Sequence, residues 1–172
     1  MIVLQTDRLI IKEYKTEYVN LAHKVFSDPK TMAFWPAPFS INETQKWIER
    51  SMHSYKENGF GRYAIYLKET NHLIGDCGIL KLETDNALVH DLGYIIHAPF
   101  WNSGLGVEAS KAVMDYGFNE LNIERLYANM PFNHAASIKV AEKLGMKQIK
   151  EFHNNKNRCI LTYLYCSVKQ KV

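Results

Sequence analysis

Apolar and polar positions alternate with two different periods, which divide the first third of the chain into a strand, two helices and a loop. Paired apolar residues predict a strand over residues 3–12, and a one-sided apolar face predicts a helix over residues 18–26. A second helix, over residues 40–55, begins with a capping-box pattern. The intervening residues 34–39 contain two prolines, which remove backbone donors and restrict the preceding residues, so this segment is predicted to be a stiff aromatic loop.

From residue 60 onward the pattern changes to strands joined by short turns. The runs 62–68, 73–82 and 88–97 are predicted to be strands, and the polar turns between them predict antiparallel neighbours. The remaining segments are a helix (107–121), a strand (125–130), a helix (133–144) and two strands (146–152 and 159–168) around a turn at 154–157. This order predicts one α+β domain over residues 1–172 with a mixed, mostly antiparallel sheet.

Composition limits the classes of function. The 172 residues are 47% hydrophobic and 23% charged, which is typical of a globular domain that buries its own core. A net charge of +3 without a basic run does not indicate a nucleic-acid partner. No stretch reaches the roughly 20 apolar residues of a membrane span, and no signal-like segment opens the chain. We therefore expect a cytoplasmic protein, monomeric or homodimeric, without nucleic-acid or membrane partners.

The cysteines and histidines form no disulfide or metal pattern. Cys77, Cys159 and Cys166 are far apart and include no C-x-x-C pair, so each is predicted to be a reduced core or strand residue. The seven histidines include no helix-face pair at four-residue spacing and accompany no acidic cluster. We therefore expect no metal site.

Residues 104–109, GLGVEA, place two glycines one residue apart at the predicted start of a helix. They satisfy G-x-G-x-x-A, the dinucleotide fingerprint, but the next predicted strand ends without the acidic residue that accompanies it. A P-loop would need Lys-Ser or Lys-Thr after the glycines, and a tight turn without a ligand is a further alternative. We favour an anionic pyrophosphate held by exposed backbone N–H groups, since the helix dipole also favours negative charge there.

The same region resembles a known family. Residues 101–106, WNSGLG, resemble the acetyl-CoA pyrophosphate loop of GNAT acetyltransferases, although Trp101 stands where the general form has Gln or Arg. A tryptophan there is similar to the branch that includes the RimJ and RimL ribosomal-protein N-terminal acetyltransferases. Further matches span nearly the whole chain: TDRL at 6–9, LIGDCG at 73–78, DLGY at 91–94 and SIKVAEKLGM at 137–146. On these motifs the sequence is identified as a member of the GNAT family.

This resemblance implies a fold and a cosubstrate. The GNAT fold has about seven strands, splayed apart between the fourth and fifth, and about four helices. Acetyl-CoA is the implied cosubstrate, with its pantetheine arm in the gap, and a backbone N–H of Ile95 or Ile96 is expected to polarise the thioester carbonyl. The implied cofactor-binding residues are Tyr94, Ile95, Ile96, His97, Trp101, Asn102, Ser103, Gly104, Leu105, Gly106, Asn133 and Ser137.

The resemblance also implies roles for residues of the last long helix. Ser137 is expected to hydrogen bond to the departing sulfur, and the alternative is a helix-start serine that bonds its own backbone. Many relatives have a tyrosine acid four residues later, where this chain has Ala141. Asn133 lies four residues before Ser137, where three is usual, so it is either a cofactor contact or only a helix cap.

The general base is expected near the fourth strand. Asp91 stands where the family often has a glutamate and is our candidate, while His90 and His97 flank the same strand as alternatives, and each has a structural explanation as well. At pH 7 about one-tenth of an α-amine with pKa about 7.8 is neutral, against a few parts in roughly ten thousand for a lysine near 10.4. A site without a strong base therefore favours an α-amine.

The acceptor side is expected to consist mainly of aromatic residues. Its predicted members are Phe34, Trp35, Phe39 and Phe60, with Tyr94 beside them. The sequence thus predicts an acetyl-CoA-dependent N-acetyltransferase in which a primary amine attacks the thioester directly in a ternary complex. Two rival functions stay open: an acetyl-CoA-binding module that has lost catalysis, motivated by Ala141, and, further behind, an NAD-dependent dehydrogenase.

Overall fold

The computed structural model describes residues 1–170, which form one eight-stranded sheet covered by four α-helices. The strands are β1 (Ile2–Gln5), β2 (Leu9–Lys12), β3 (Arg62–Leu67), β4 (Leu73–Thr84), β5 (Ala87–Ile96), β6 (Arg125–Pro131), β7 (Lys147–Asn154) and β8 (Ile160–Val168). The α-helices are α1 (Val19–Phe26), α2 (Ile41–Asn58), α3 (Leu105–Asn119) and α4 (Ala135–Lys143). Within these residues no helix is both long and apolar enough to cross a membrane.

The segment predicted as one strand over residues 3–12 is a hairpin of two strands. β1 and β2 pair antiparallel around a turn in which the Thr6 N–H donates to the Leu9 carbonyl at 3.0 Å. The Leu9 N–H returns a bond to Thr6 Oγ1, also at 3.0 Å. Apolar residues on both sides of this polar turn gave the segment a continuous pattern. The sheet therefore has eight strands instead of about seven, while the predicted α+β class is confirmed.

Local signals in the sequence set some of the helix ends. α2 begins with the predicted capping box: Ser40 Oγ accepts from the Glu43 N–H at 3.2 Å, and the Glu43 carboxylate accepts from the Ser40 N–H at 2.7 Å. Gly145 follows α4 with a φ of +75°, as its predicted cap position requires. The predicted start of α4 was wrong, because the N-cap is His134 rather than Asn133.

The sheet has helices on both faces. Its strand order is β1-β2-β3-β4-β5-β6-β8-β7, and all neighbours are antiparallel except β5 and β6, which are parallel and connected through α3. α1 and α2 cover one face, where Phe26 and Trp47 belong to one buried cluster. α3 and α4 cover the other face, where Val113, Leu126 and Ala141 belong to a second cluster. The central strands are therefore buried from both sides.

Candidate active site

A gap opens in the middle of the sheet, between β5 and β6. Their pairing is limited to Asp91 opposite Tyr127. Beyond that point, residues 92–96 of β5 and residues 128–131 of β6 line a cavity of about 1040 Å³. The predicted splay between the fourth and fifth strands is confirmed, since these are β5 and β6 once the first hairpin is counted as two strands.

Residues from both faces of the sheet line the gap. This follows because successive residues of a strand point to opposite faces. Ile95 packs in the cluster with α1 and α2, whereas Leu92 and Ile96 pack in the cluster with α3. By alternation, Asp91 shares the face of Ile95, and Tyr94 shares the face of Ile96. The cavity therefore connects an α1/α2 side, which holds Asp91, with an α3/α4 side, which holds Tyr94.

The two glycines before and within α3 are needed for different reasons. Gly104 is the N-cap of α3 and has a φ of +79°, a left-handed conformation that disfavours any side chain. Gly106 is helical, but a Cβ on it would lie 3.1 Å from the Tyr94 ring. Gly104 thus shapes the loop before the unpaired N–H groups of the helix start, and Gly106 lets that start pack on Tyr94.

An ion pair that sequence reasoning missed holds the same loop. Arg8 Nε donates to Glu108, in the first turn of α3, at 2.7 Å, and Arg8 Nη1 donates to the Ser103 carbonyl at 2.8 Å. Thr6 Oγ1 donates to the same carboxylate at 2.5 Å. Partial burial raises the pKa of Glu108, but the bonds from Thr6 and Arg8 outweigh it, so the pKa lies below its ordinary value. The first hairpin therefore places an ionised, neutralised carboxylate beside the loop.

Trp101, which replaces the Gln or Arg of the general loop pattern, fixes the end of β5. Its indole N–H donates to the Ile96 carbonyl at 2.6 Å. On the opposite side of the strand, the His97 N–H donates to the Ile74 carbonyl of β4 at 2.8 Å. Because peptide groups alternate between the two sides of a strand, those of Ile96 point away from β4 and towards the gap. This geometry favours Ile96 over Ile95 as a backbone donor there.

Asp91 is buried on the α1/α2 side, where strand pairing ends. Its carboxylate accepts a hydrogen bond from Asn129 Nδ2 of β6 at 2.7 Å. Burial raises the pKa of Asp91 to about 6, and the charge of Arg62 and the Asn129 bond oppose that rise only in part. Such a carboxylate is ionised at pH 7 and can accept a proton from a bound ammonium group. Asn129 itself carried no recognisable signal in the sequence.

A buried polar network lies beside Asp91 under α2. Arg62, only 4% exposed, forms an ion pair with the fully buried Asp76. Asp76 also accepts hydrogen bonds from Trp47 Nε1 at 2.9 Å and from the Tyr14 hydroxyl at 3.2 Å. These bonds fix the Arg62 guanidinium in the cavity wall. Sequence reasoning missed this network because its four members come from four separate segments of the chain.

Ser137 and Tyr94 line the cavity together on the α3/α4 side. Burial raises the pKa of the Tyr94 phenol, and the nearby Ser137 hydroxyl opposes that rise. Ala141, where many relatives have a tyrosine, is buried one turn further along α4. The structure thus brings two hydroxyl groups to the position near which a tyrosine acid was missing.

His134, rather than Asn133, faces the cavity. Asn133 is exposed and outside the lining, whereas His134 lines it and lies three residues before Ser137, the spacing usual in the family. The imidazole stacks on Phe34, with 3.8 Å between ring centroids and 8° between planes. Burial lowers the pKa of His134 to about 4, and its Nδ1 has no hydrogen-bond partner among residues 1–170. A neutral ring with an unpaired nitrogen therefore forms part of the wall.

Three of the four aromatic residues predicted on the acceptor side line the cavity. Trp35 and Phe39 pack against Trp47, with ring centroids 5.6 and 5.7 Å apart, and Phe34 lies opposite His134. Phe60 is instead buried in the core cluster on the other face. Trp47 of α2 also lines the cavity, and nothing in the sequence singled it out.

The remaining sequence candidates lie around the cavity rather than in its wall. The His90 ring packs edge to face on a core aromatic ring, and His97 Nε2 lies 4.0 Å from Asp28. Asn102, with a φ of +60°, and Leu105, which is buried, flank the turn before α3. In the part of the chain that the structure describes, no group of three or more His, Cys, Asp or Glu side chains could hold a metal ion.

A mixed sheet split between its two parallel central strands, with a glycine loop at the start of the connecting helix, defines an acyltransferase of the acetyltransferase type. The family model for the acetyltransferase (GNAT) domain matches residues 8–147. The chain belongs to the GNAT acetyltransferase family. The members of this family use acetyl-CoA, and a split sheet with a glycine turn at the start of α3 is compatible with that cosubstrate.

Individual relatives and solved structures extend this comparison. The uncharacterized protein YkkB of Bacillus subtilis (strain 168) is 30% identical over 148 residues, which cover 86% of each chain. A GNAT-family acetyltransferase from Bacillus anthracis has a TM-score of 0.83 at 22% identity and covers 99% of this chain and 100% of its own. The acetyl transferase of Salmonella typhimurium that modifies the N-terminal serine of 50S subunit protein L7/L12 also has a TM-score of 0.83, at 16% identity and the same coverage. The two structural likenesses show a shared fold.

Proposed function

We propose that this protein is an acetyl-CoA-dependent N-acetyltransferase whose acceptor is a primary amine, with a protein N-terminal α-amine favoured. The observation that carries the proposal is the gap between β5 and β6, which connects the glycine-loop side of the sheet with the buried carboxylate Asp91. Bound acetyl-CoA would supply an activated acetyl group as a thioester. The protein has to bind the two substrates from opposite faces of the sheet. It also has to remove one proton from the amine and deliver a second proton to the departing thiolate.

The α3/α4 side fits a long, phosphorylated thioester. The N–H groups that begin α3 after Gly104 suit a pyrophosphate, because they lack helical partners and lie at the positive end of the helix dipole. Tyr94 and Ser137 suit the walls of the pantetheine slot. The Ile96 carbonyl is already bonded to Trp101, so the Ile96 N–H is the group left to polarise a thioester carbonyl.

The α1/α2 side supplies the base. Asp91 accepts one proton from the acceptor ammonium, directly or through a water molecule, and the neutral amine then attacks the acetyl carbon. The carbon–nitrogen bond forms, the carbon–sulfur bond breaks, and the second amine proton passes to the thiolate. Ser137 and Tyr94 lie on the side where that proton is needed. Both substrates meet in one gap, so the protein need not form a covalent intermediate.

The chemistry of the base favours an α-amine over a lysine amine. The difference between amine pKa values of about 7.8 and 10.4 is worth about 3.5 kcal/mol in the cost of forming the neutral amine. A carboxylate with a pKa of about 6 is a weak base, which suits the acceptor that needs less help. The Salmonella neighbour, which modifies an N-terminal serine, supports the same class of acceptor.

The first test is calorimetric titration of the purified protein with acetyl-CoA, with NAD as the control ligand. We expect acetyl-CoA to bind, NAD not to bind, and Gly104→Glu to abolish binding by placing a carboxylate at the loop. CoA release is then measured with matched peptides that can be acetylated only at the terminus or only at a lysine. Failure to bind acetyl-CoA, or faster acetylation of lysine, would contradict the proposal.

The same test distinguishes the proposal from an inactive acetyl-CoA-binding module, while the fold disfavours the dehydrogenase alternative. Binding of acetyl-CoA without turnover on any amine would favour an inactive binding module. A dinucleotide-binding dehydrogenase is disfavoured because β6, the strand after α3, pairs with β5 at a single position and otherwise pairs antiparallel with β8.

A further inference from the structure

The side chains of Arg62 and Asp91 both lie beside Gly93 of β5. A Cβ on Gly93 would overlap Arg62 Nη1 and lie 3.5 Å from Asp91 Oδ2. All three residues line the cavity and lie on the α1/α2 side. The Arg62 guanidinium and the Asp91 carboxylate therefore lie close together on the acceptor side. Both are next to Gly93, which has no side chain to separate them.

Arg62 is held rigidly and still has donors to spare. Its Nε and Nη2 both donate to Asp76, which leaves Nη1 without a hydrogen bond among residues 1–170. Asp76 is itself held by Trp47 and Tyr14. Asp91, in contrast, is held by Asn129 and not by a hydrogen bond from Arg62. The two charged groups are thus held by different partners. Neither uses its hydrogen-bonding capacity on the other, so both can bind a ligand.

We infer that Arg62 and Asp91 together select acceptors in which the amine is attached to a carbon that also bears a carbonyl group, the α-aminoacyl unit of a peptide or amino acid amide. This inference rests on the proposed function and names the chemistry of its acceptor. The ammonium group is held by Asp91, and the neighbouring carbonyl oxygen accepts a hydrogen bond from Arg62 Nη1. Only one carbon separates ammonium and carbonyl in this unit, which matches the short separation of the two side chains.

An amine without that carbonyl loses a specific contact. When such an amine is bound, Arg62 Nη1 faces an apolar group and has no hydrogen-bond acceptor. A site that donates a hydrogen bond to its substrate has a much lower kcat/KM for an analogue without the acceptor. A lysine side chain is such an amine, since no carbonyl lies near its terminal nitrogen. The pair thus adds a geometric reason for α-amine preference that does not depend on amine pKa.

The test compares two acceptors of similar size, alaninamide and isopropylamine, which differ by a carboxamide in place of a methyl group. CoA release is measured at equal concentrations of neutral amine, so that their different pKa values do not enter. We expect kcat/KM for alaninamide to be about tenfold higher or more. Arg62→Lys keeps a positive charge for Asp76 but loses the planar fork, so it should lower alaninamide turnover about tenfold more than it lowers isopropylamine turnover. The exposed Arg125→Lys is the matched control and should change neither.

The outcomes separate this inference from the proposed function. Equal kcat/KM for the two acceptors, or an Arg62→Lys variant that lowers both by the same factor, would overturn the α-aminoacyl inference while leaving acetyltransfer intact. Asp91→Asn should lower both acceptors together, because both amines need the base. Absence of CoA release with either acceptor would overturn the proposed function and this inference with it. Should Arg62→Lys fail to fold, the wild-type ratio of the two acceptors decides alone.

Discussion

Asn129 donates a hydrogen bond of 2.7 Å to Asp91 and thereby bridges β6 and β5 where the two strands part. The backbone pairing of these strands is restricted to Asp91 and Tyr127, and Asn129 lies two residues further along β6. The side-chain bond thus spans the beginning of the gap. It also favours the ionised carboxylate against the effect of burial. One contact therefore spans the start of the cavity and, together with the charge of Arg62, helps to keep the candidate base ionised.

The pH dependence of acetylation should follow Asp91. The ionised carboxylate is the base that deprotonates the ammonium, and burial raises its pKa to about 6, so kcat/KM calculated per ammonium form of the acceptor should fall as the pH is lowered through about 6. Asp91→Asn should remove this limb and lower kcat by about a hundredfold. Asn129→Ala removes a bond that lowers the pKa of Asp91, so the limb should move to higher pH. A limb that stays in place in Asn129→Ala would exclude Asp91 as its source.

Arg8 should support acetyl-CoA binding by neutralising Glu108. Arg8→Ala leaves a carboxylate uncompensated beside the proposed pyrophosphate site, so we expect the Kd for acetyl-CoA to rise about tenfold. Arg8→Ala combined with Glu108→Gln removes both charges and should restore most of the affinity. Acetyl-pantetheine, which lacks the pyrophosphate, serves as the control donor, and its turnover should not respond to Arg8→Ala. Equal losses with both donors would show that Arg8 only stabilises the fold.

Gly104 and Gly145 form a matched pair for separating backbone strain from ligand binding. Both have a left-handed φ, +79° and +75°, and neither leaves a new methyl group in a clash. Substitution of either by alanine should cost about 1 kcal/mol of unfolding free energy through strain alone. Only Gly104→Ala should also weaken acetyl-CoA binding, which calorimetry would measure. Weakened binding in both variants would point to a general loss of stability.

Ser137 should act on the chemical step more than on binding. Ser137→Ala removes a hydroxyl group from the side that receives the sulfur, so kcat should fall by about tenfold or more with little change in KM for acetyl-CoA. Tyr94→Phe tests whether the phenol shares this role, since both residues line the same side of the cavity. A kcat that is unchanged in Ser137→Ala would assign the serine to helix capping.

Features encoded within a few neighbouring residues were predicted well. The Ser40 and Glu43 capping box, the glycine turn at Gly104 and the helix stop at Gly145 all depend on local backbone geometry. Errors arose where a local pattern had two solutions. Apolar residues on both sides of Thr6 are compatible with one strand or with a hairpin.

Burial and long-range contacts were harder to predict. Phe60 was predicted on the acceptor side because it is aromatic. In the structure it is buried in the core cluster under α3 and α4, on the other face of the sheet. His134 was overlooked because the family resemblance directed attention to the asparagine beside it, although the usual three-residue spacing before Ser137 falls on His134. Whether an aromatic or imidazole ring faces a cavity depends on what packs behind it, and for His134 that partner is Phe34, a hundred positions earlier in the chain.

The sequence by itself determined the family, the α+β class and the glycine loop at the start of α3, because motifs, periodicity and glycine conformation are properties of short segments. Only the tertiary structure decided which charges meet. Arg8 of the first hairpin reaches Glu108 of α3, while Arg62 reaches Asp76 and Asn129 reaches Asp91 between strands of the sheet. These pairs depend on strand order and register, which bring together residues that no local pattern relates.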